Sequence, residues 1–247
     1  GHMFAFMASK VRLFVEHPLG KEQSVPLTHE QAHYLFSVMR MTDGTILSVF
    51  NGQGGEWDAQ VVQSGKKTGV LLCLTQTRPL QMPPDVWLMF APIRKERTAF
   101  IVEKATELGA ARIMPVQTAY TNNADRIRVD KLRAHALEAA EQCGGTYVPE
   151  VTDLEKLFKV LAGWDPSRKI MFCDETLLDE TCALSQTDAG PWAILIGPEG
   201  GFSDKEREHL RALPYAHPTS LGPRILRADT AAVAALTLWQ RALGDWT

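Results

Sequence analysis

Two turns near the end of the chain combine residue types that could bind a nucleotide-like ligand. The first is Gly197-Pro198-Glu199-Gly200-Gly201, which follows the apolar run 192–196 directly. Glycines let a ligand approach the backbone closely, and their amide groups can hydrogen-bond an adenine edge or a ribose. The alternative is a tight strand-to-helix turn in which Ser203 or Asp204 caps the next helix. The spacing is not that of a dinucleotide fingerprint, and no Gly-Lys-Ser/Thr phosphate loop follows.

The second turn, residues 220–227, places Arg224 and Arg227 directly before a predicted helix. Cations at a helix N-terminus oppose the helix dipole. An anionic ligand, either a cofactor carboxylate or an RNA phosphate, would explain their presence. The alternative is that Asp229 or Thr230 caps the helix and the arginines are solvated charges. A third strand end, 170–175, closes with two acidic residues and is indistinguishable from an ordinary exposed strand end.

The charge of the chain is unevenly distributed. A net charge of −3 excludes a broadly basic protein that coats nucleic acid. Residues 92–133, however, hold nine basic and five acidic side chains, a net charge of +4. Arg94, Lys95, Arg97 and Arg126 lie in this window and predict a surface that contacts phosphates. An ordinary charged loop is the alternative.

Two kinds of periodicity divide the chain at Arg78 to Asp85, where three prolines interrupt both helix and strand patterns. Before this point, short apolar runs between glycine-bearing turns predict a small β barrel with one helix over His29–Met41. After it, strands alternate with longer helices, which is typical of a parallel α/β sheet. Ligands of such sheets bind beyond the carboxyl ends of the strands. We predict strands at 11–15, 45–50, 57–62, 69–75, 86–90, 112–116, 169–173 and 192–196, a strand-like turn at 219–226, and helices at 99–108, 129–142, 204–213 and 230–243.

The predicted terminal helix is apolar on nearly every face, so it is buried either in the core or at a contact between subunits. No apolar run approaches the roughly 18 residues that cross a bilayer. The four cysteines form neither a Cys-x-x-Cys pair nor a Cys/His cluster with zinc-ligand spacing. We therefore expect a cytoplasmic protein with reduced thiols and no metal.

Taken together, several segments resemble the 16S ribosomal RNA uracil N3-methyltransferases, and their order and spacing match over nearly the whole chain. The combination is specific, whereas no single segment is. Asp229 departs from the pattern, because many members carry Glu there. The matching segments are 100–109, 138–144, 196–202 and 221–231, and 33–50 is similar to the N-terminal domain of that family.

The resemblance implies a PUA-like RNA-binding β barrel at 1–80 and a SPOUT-type α/β methyltransferase domain at 84–247 that contains a trefoil knot. Periodicity and spacing carry no sign of a knot, which is a rare exception to normal chain topology. The resemblance also implies S-adenosylmethionine (SAM) as the cofactor and 16S ribosomal RNA or the small ribosomal subunit as the partner. It further implies a homodimer through the C-terminal domain, with the cofactor pocket at the subunit contact.

The same resemblance assigns roles in methyl transfer to N3 of a uridine. Arg227 is the candidate for stabilising the developing anion, with Arg224 in reserve. Glu199 is one candidate proton acceptor, and a water-mediated route is equally open. N3 lies on the Watson–Crick edge, so the target base must be unpaired or extruded. Cofactor contacts are assigned to Phe172, Ile196, Gly197, Pro198, Gly200, Gly201, Leu221, Gly222, Ile225, Leu226 and Thr230, and RNA contacts to Arg12, Arg40, Arg94, Lys95, Arg97, Arg126 and Arg224.

Two other classes of function leave part of the sequence unexplained. A non-catalytic RNA-binding module would use the barrel and the basic window, but it leaves the two turns with glycines unexplained. A nucleotide-dependent oxidoreductase or kinase requires a dinucleotide or phosphate-loop motif, and the sequence contains neither.

Overall fold

The computed structural model describes residues 11–122, 124–177, 184–185 and 188–247. The chain divides into two compact units, the first comprising 1–82 and 140–148 and the second 83–139 and 149–247. The break after Met82 lies inside the proline-containing segment 78–85. Residues 140–148 contribute to the first unit, although the sequence pattern placed them in the second domain.

The first unit is built on a five-stranded sheet in the order β1-β3-β4-β5-β2. β1 pairs with β3 in parallel, and the other pairs are antiparallel. Leu47, Val49 and Leu71 are fully buried on its core face. Closure of this sheet into a barrel remains a prediction. The strands are β1 (Arg12–Phe14), β2 (Ser24–Pro26), β3 (Ile46–Phe50), β4 (Glu56–Gly65) and β5 (Thr68–Arg78).

The helix predicted over His29–Met41 is present, but it is shorter and changes type. Helix α1 (His29–Ala32) begins at Thr28 with a capping box and continues as a π-helical segment over His33–Val38. Arg40 follows with a φ angle of 53°, which is uncommon for a residue other than glycine.

The second unit is a parallel α/β fold, as the alternation of strands and helices predicts. Six strands pair in the order β12-β10-β11-β6-β7-β8, all in parallel, and β9 pairs with β7. The strands are β6 (Val86–Phe90), β7 (Arg112–Gln117), β8 (Glu150–Val151), β9 (Glu155–Lys156), β10 (Lys169–Cys173), β11 (Trp192–Ile196) and β12 (Ala216–Thr219). The helices are α2 (Lys95–Glu107), α3 (Val129–Cys143), α4 (Leu157–Ala162), α5 (Asp204–Ala212) and α6 (Ala228–Leu243).

The prediction of a strand-like turn at 219–226 was wrong in its position. The strand is β12, which ends at Thr219, and the following residues up to Arg227 have no regular structure. β12 lies at the edge of the described sheet, where Pro218 is tolerated because its missing N–H faces away from the partner strand. Gly222 has a φ angle of 96°, which breaks the extended backbone.

The order in which the chain adds strands to the sheet reverses between β6 and β11. The chain adds β7 and β8 on one side of β6 and places β11, β10 and β12 on the other. Ligands of open α/β sheets bind outside the carboxyl ends of the strands where this order reverses. Helix α6 covers one face there and packs against α2 and β11. The trefoil knot in this region remains a prediction.

Arg12 explains how the end of helix α3 joins the first unit. Its Nε donates to Glu56 at 2.5 Å, and its Nη1 donates to the carbonyl oxygens of Ala140 and Glu141 at 2.7 and 2.8 Å. Its Nη2 donates to the carbonyl oxygen of Gly145 at 2.8 Å. The last carbonyl groups of a helix lack intrahelical partners, and a cation there also complements the helix dipole. Arg12 is therefore a structural residue with almost no donor left for RNA, which corrects its assignment as an RNA contact.

Candidate active site

A pocket opens at the carboxyl ends of β10, β11 and β12, and we call it the glycine pocket. Its walls come from the turn after each strand and from the first two turns of helix α6. It brings together the two turns that the sequence analysis selected and the end of β10, whose sequence alone did not indicate a ligand site. The glycine pocket is lined by Cys173, Asp174, Glu175, Ile196, Gly197, Pro198, Glu199, Gly201, Phe202, Thr219, Leu221, Gly222, Arg224, Leu226, Ala228 and Ala231.

The glycine turn is held rigidly by the helix that follows it. Gly201 has a φ angle of 75°, and its N–H donates to the carbonyl oxygen of Pro198 at 2.9 Å. Ser203 caps helix α5 in a capping box with Glu206, which is 1% exposed. The second carboxylate oxygen of Glu206 accepts from the N–H of Ala119 at 2.9 Å. The predicted capping turn is thus present at Ser203, and the glycine turn before it also lines a pocket.

A side chain at Gly197 would crowd the Phe202 ring. A Cβ atom there would lie 3.1 Å from Cζ of that ring, which is buried and lines the pocket. At Gly200, a Cβ atom would lie 3.3 Å from Cβ of Tyr120, outside the pocket lining. Gly197 is therefore the glycine whose replacement would reshape the pocket wall directly.

The end of β10 adds acidic groups to the pocket. The side chain of Asp174 is 2% exposed, and its Oδ2 accepts from Nε of Arg207 at 2.7 Å. Its Oδ1 accepts from the backbone and hydroxyl of Thr176. Glu175 is exposed beside it. Sequence reasoning missed these residues because only the pairing of β10 with β11 brings them next to the glycine turn.

Two uncharged polar groups, the thiol of Cys173 and the hydroxyl of Thr219, also line the pocket. Burial raises the pKa of the Cys173 thiol to about 12, and the neighbouring charge of Asp174 adds to this effect. The thiol is therefore protonated at neutral pH and is a poor nucleophile. Thr219 is 5% exposed, and its hydroxyl oxygen has no hydrogen-bond partner among the described residues. Thr219 pairs in register with Cys173, so both side chains project to the face that α6 covers.

A second depression adjoins the glycine pocket, and we call it the arginine cleft. It is lined by three arginines together with Glu199, Ile225 and Leu226. Arg94 and Arg227 are the N-cap residues of α2 and α6, and neither side chain makes a capping hydrogen bond. Arg97, in the first turn of α2, is the third arginine that lines the cleft. Glu199 and Leu226 line both the cleft and the pocket.

The structure does not place Asp229 or Thr230 at the N-cap of α6. Arg227 occupies that position, and Asp229 instead forms an ion pair with Arg97 at 2.9 Å. The cationic turn therefore precedes the helix without any capping side chain of its own. The alternative in which one of the two residues caps the helix was wrong.

Seven of the eleven predicted cofactor contacts line the glycine pocket, and four lie elsewhere. Phe172 is fully buried in the cluster on the opposite sheet face, because side chains alternate along β10. Gly200 lies beside Tyr120 and is not a lining residue of the pocket. Ile225 is 83% exposed and lines the arginine cleft. Thr230 is exposed, since the helix turns Ala228 and Ala231 toward the pocket.

The predicted RNA contacts fall into three groups. Arg94 and Arg97 line the arginine cleft, while Arg224 lines the glycine pocket. Lys95 is exposed next to Arg94 at the start of α2. Arg40 in the first unit and Arg126 in the second are exposed and line neither depression. Within the described residues, no group of three or more His, Cys, Asp or Glu side chains could hold a metal. The helices among those residues also include none that could cross a membrane.

Comparison with known proteins identifies the class. The profile of the RNA methyltransferase domain matches residues 81–240, and that of the PUA domain of RNA methyltransferases matches residues 27–72. The chain therefore belongs to the RNA methyltransferase family, with a PUA domain before the methyltransferase domain.

The names of individual relatives specify the RNA more closely than the family profile does. The ribosomal RNA small subunit methyltransferase E of Synechocystis is 32% identical over 222 residues, which cover 87% of this chain and 72% of that protein. The protein of the same name from Buchnera aphidicola (subspecies Schizaphis graminum) is 27% identical over 241 residues, 95% of this chain and 97% of its own.

Solved structures share the fold over almost the full length. A methyltransferase from Legionella pneumophila, solved with bound SAM, superposes with a TM-score of 0.82 at 27% identity and covers 96% of this chain and 99% of its own. The ribosomal RNA small subunit methyltransferase E of Neisseria gonorrhoeae has a TM-score of 0.85 at 24% identity, covering 96% of this chain and 100% of its own. The predicted combination of a PUA-like domain and a SPOUT-type α/β domain is confirmed.

Proposed function

We propose that this chain is a SAM-dependent methyltransferase that modifies N3 of a uridine in 16S ribosomal RNA. The observation that carries the proposal is that the glycine pocket and the arginine cleft share Glu199 and Leu226. A cofactor in the pocket and a nucleotide in the cleft would therefore meet at these residues. The names of the Synechocystis and Buchnera relatives support the choice of substrate.

The glycine pocket suits SAM in its chemistry. Ile196, Leu221 and Leu226 offer apolar walls for an adenine ring, and the backbone of both turns offers amide and carbonyl groups for its edge. The hydroxyl of Thr219, which has no hydrogen-bond partner among the described residues, would gain a hydrogen bond from a bound ligand. The SAM bound to the Legionella relative supports this assignment. The proposed cofactor contacts are Ile196, Gly197, Pro198, Gly201, Thr219, Leu221, Gly222 and Leu226.

When bound, SAM supplies an electrophilic methyl group on a positively charged sulfur, which takes the bonding electron pair as the methyl group leaves. The carboxylates of Asp174 and Glu175 line the same pocket and would favour positive charge there. Asp174 is itself fixed by Arg207, so its orientation does not depend on the ligand. The pocket would thus align the methyl donor rather than activate it.

Catalysis by the residues of the chain would act on the uracil. The N3–H bond breaks, the nitrogen electron pair forms the new N–C bond, and negative charge develops on the ring. Arg227 in the arginine cleft would stabilise that charge, and Glu199 would accept the proton, directly or through water. Most of the acceleration would come from holding the base against the methyl donor at about 3–3.5 Å.

RNA would be held mainly by charge. Arg94 and Arg97 in the arginine cleft, with Lys95 beside them, would contact phosphates near the target nucleotide. Arg40 and Arg126 are exposed and would add contacts further along the RNA. The target base must leave its pair or stack to reach the shared residues.

The proposal includes a homodimer through the second unit, with the knotted SPOUT topology and a cytoplasmic location. Phe100 on α2 and Leu238 on α6 are 39% and 48% exposed. A contact between subunits would cover these large apolar side chains. A cytoplasmic location follows from the proposed substrate, because ribosomal RNA is found there.

Calorimetric titration of the purified protein with SAM tests the proposal. We expect saturable binding of SAM and of the demethylated product, and none of a dinucleotide such as NAD. If SAM fails to bind while ribosomal RNA still does, the protein is a non-catalytic RNA-binding module and the proposal is wrong.

A further inference from the structure

An ion pair joins the first turns of the two helices that border the arginine cleft. Nη1 of Arg97 on α2 donates to Oδ2 of Asp229 on α6 at 2.9 Å. These residues are 132 positions apart in the chain. The pair lies where the two helices contact, and Arg97 also lines the arginine cleft.

The two partners differ in burial. The side chain of Asp229 is 12% exposed, whereas that of Arg97 is 32% exposed. Oδ1 of Asp229 is buried and has no hydrogen-bond partner among the described residues. Within that part of the chain, Arg97 is thus the one group that neutralises this carboxylate. A buried carboxylate is costly unless it is paired, so Asp229 holds the guanidinium firmly.

Arg97 uses one edge of its guanidinium for this pair and also lines the cleft. A guanidinium has five N–H donors in a planar fork. Only the bond from Nη1 to Asp229 is present within the described residues, so the other donors are available toward the cleft. Anchoring one edge of the group fixes the direction of the rest and lowers the entropy lost when a ligand binds.

The charges around the ion pair are a second reason why Arg97 needs an anchor. Arg94, Arg97 and Arg227 all face one depression, where Glu199 is the acidic lining residue. Like charges repel, so an unanchored Arg97 would turn away from the other two. The carboxylate of Asp229 counteracts this repulsion through its ion pair with Arg97.

We propose that Asp229 is a positioning residue for RNA binding: it holds Arg97 in the orientation that contacts a phosphate next to the target nucleotide. This inference rests on the proposed function, because it assigns the anion in the arginine cleft to RNA. It predicts that Asp229 affects RNA through Arg97 and leaves the cofactor site unchanged.

A double-mutant cycle tests the proposal with the full chain. The variants are Asp229→Ala, Arg97→Gln and the double variant. The amide of Gln at position 97 can still donate to the retained carboxylate. Small ribosomal subunits from cells that lack the protein serve as substrate, with steady-state methyl transfer, subunit binding and SAM calorimetry as measurements.

We expect Asp229→Ala to raise KM for subunits about five- to tenfold, by loss of one oriented phosphate contact. We expect kcat and the Kd for SAM to stay within about twofold, since neither reports on phosphate binding. In the Arg97→Gln background the same change should have almost no further effect. Asp229→Glu, which keeps the charge, should restore most of the affinity.

Two outcomes would overturn the proposal: an equal effect of Asp229→Ala in both backgrounds, or no effect in the wild-type background. If Asp229→Ala does not fold, Asp229→Asn removes the charge at constant size and replaces it in the cycle. Glu150→Ala is the matched control, because it breaks the Arg112–Glu150 ion pair at the other end of the strands. Failure of the proposed function is distinguishable, since the wild-type protein would then neither bind SAM nor methylate subunits.

Discussion

The glycine pocket and the arginine cleft adjoin each other and share two residues, yet they are lined by different kinds of residues. The pocket is walled largely by backbone, small side chains and apolar groups at the ends of strands β10, β11 and β12, and its charged lining residues are Asp174, Glu175, Glu199 and Arg224. The cleft is walled by long cationic side chains at the first turns of α2 and α6. A rigid backbone wall selects a ligand by shape and hydrogen-bonding edge, whereas flexible cations select by charge.

This difference predicts two kinds of sensitivity. Changes of side-chain size in the pocket should weaken SAM binding and leave the salt dependence of RNA binding unchanged. Changes to the cleft cations that contact phosphates should weaken RNA binding and leave SAM binding alone. The shared residues should affect turnover more than binding, because the reaction would take place between the two ligands.

Arg227→Ala should have the largest effect, on turnover. Loss of one group that stabilises the developing charge lowers kcat about 100- to 1,000-fold. The Kd for SAM should stay unchanged, because Arg227 does not line the glycine pocket. Single-turnover methylation of small subunits measures this, with Arg227→Lys as the variant that keeps the charge. A normal kcat with a raised KM would move Arg227 to the RNA-binding residues.

Gly197→Val should have the next largest effect, on cofactor binding. Its Cβ would approach the buried Phe202 ring to 3.1 Å, and overpacking costs about 1–3 kcal/mol. The displaced wall should weaken SAM binding about 10- to 100-fold, as measured by calorimetry. Gly163→Val is the matched control, since a Cβ there meets nothing within 4 Å. Unchanged SAM affinity would remove Gly197 from the cofactor site.

Arg94→Ala combined with Lys95→Ala should weaken RNA binding and reduce its dependence on salt. Removing two phosphate contacts should lower the slope of log K against log salt by roughly 1.4 for single-stranded RNA. The matched control replaces Lys156 and Lys159, two exposed lysines outside both depressions. An unaltered slope would show that the start of α2 is an ordinary solvated surface.

Thr219→Val should have the smallest effect and should separate the pocket from the cleft most cleanly. Valine keeps the shape of threonine and removes the hydroxyl, which no group in the described part of the chain bonds. Loss of one hydrogen bond to the ligand corresponds to about 0.5–1.5 kcal/mol, or roughly 2- to 12-fold in the Kd for SAM. Thr219→Ser should bind like the wild type. Equal binding by the valine variant would mean that the hydroxyl does not contact the ligand.

The sequence predicted the architecture and the two turns that line the glycine pocket because these features are local. Apolar runs of strand length define β6, β10 and β11, and the capping role of Ser203 follows from its position after the glycine turn. The resemblance added the order of the segments and the family. Seven predicted cofactor contacts lie together because they belong to two turns that are each continuous in sequence.

The features that were missed depend on pairing across long distances in the chain. Asp174 and Thr219 enter the pocket only because β10 lies between β11 and β12. Arg12 was assigned as an RNA contact, but its side chain bonds Glu56 and three carbonyl oxygens that lie 128 or more positions away, at and just after the end of α3. The Arg97–Asp229 pair has the same origin. Periodicity specifies which face a side chain occupies but not which segment lies opposite it.

Mass spectrometry of 16S ribosomal RNA tests the central claim most directly. RNA is prepared from cells with the gene, without it, and without it but supplied with the Arg227→Ala variant, and nucleosides are separated after digestion. We predict that 3-methyluridine is present in the first sample, absent from the second and strongly reduced in the third. The second sample should regain it when its small subunits are incubated with the purified protein and SAM. An unchanged amount of 3-methyluridine without the gene, together with no methyl transfer in vitro, would contradict the account.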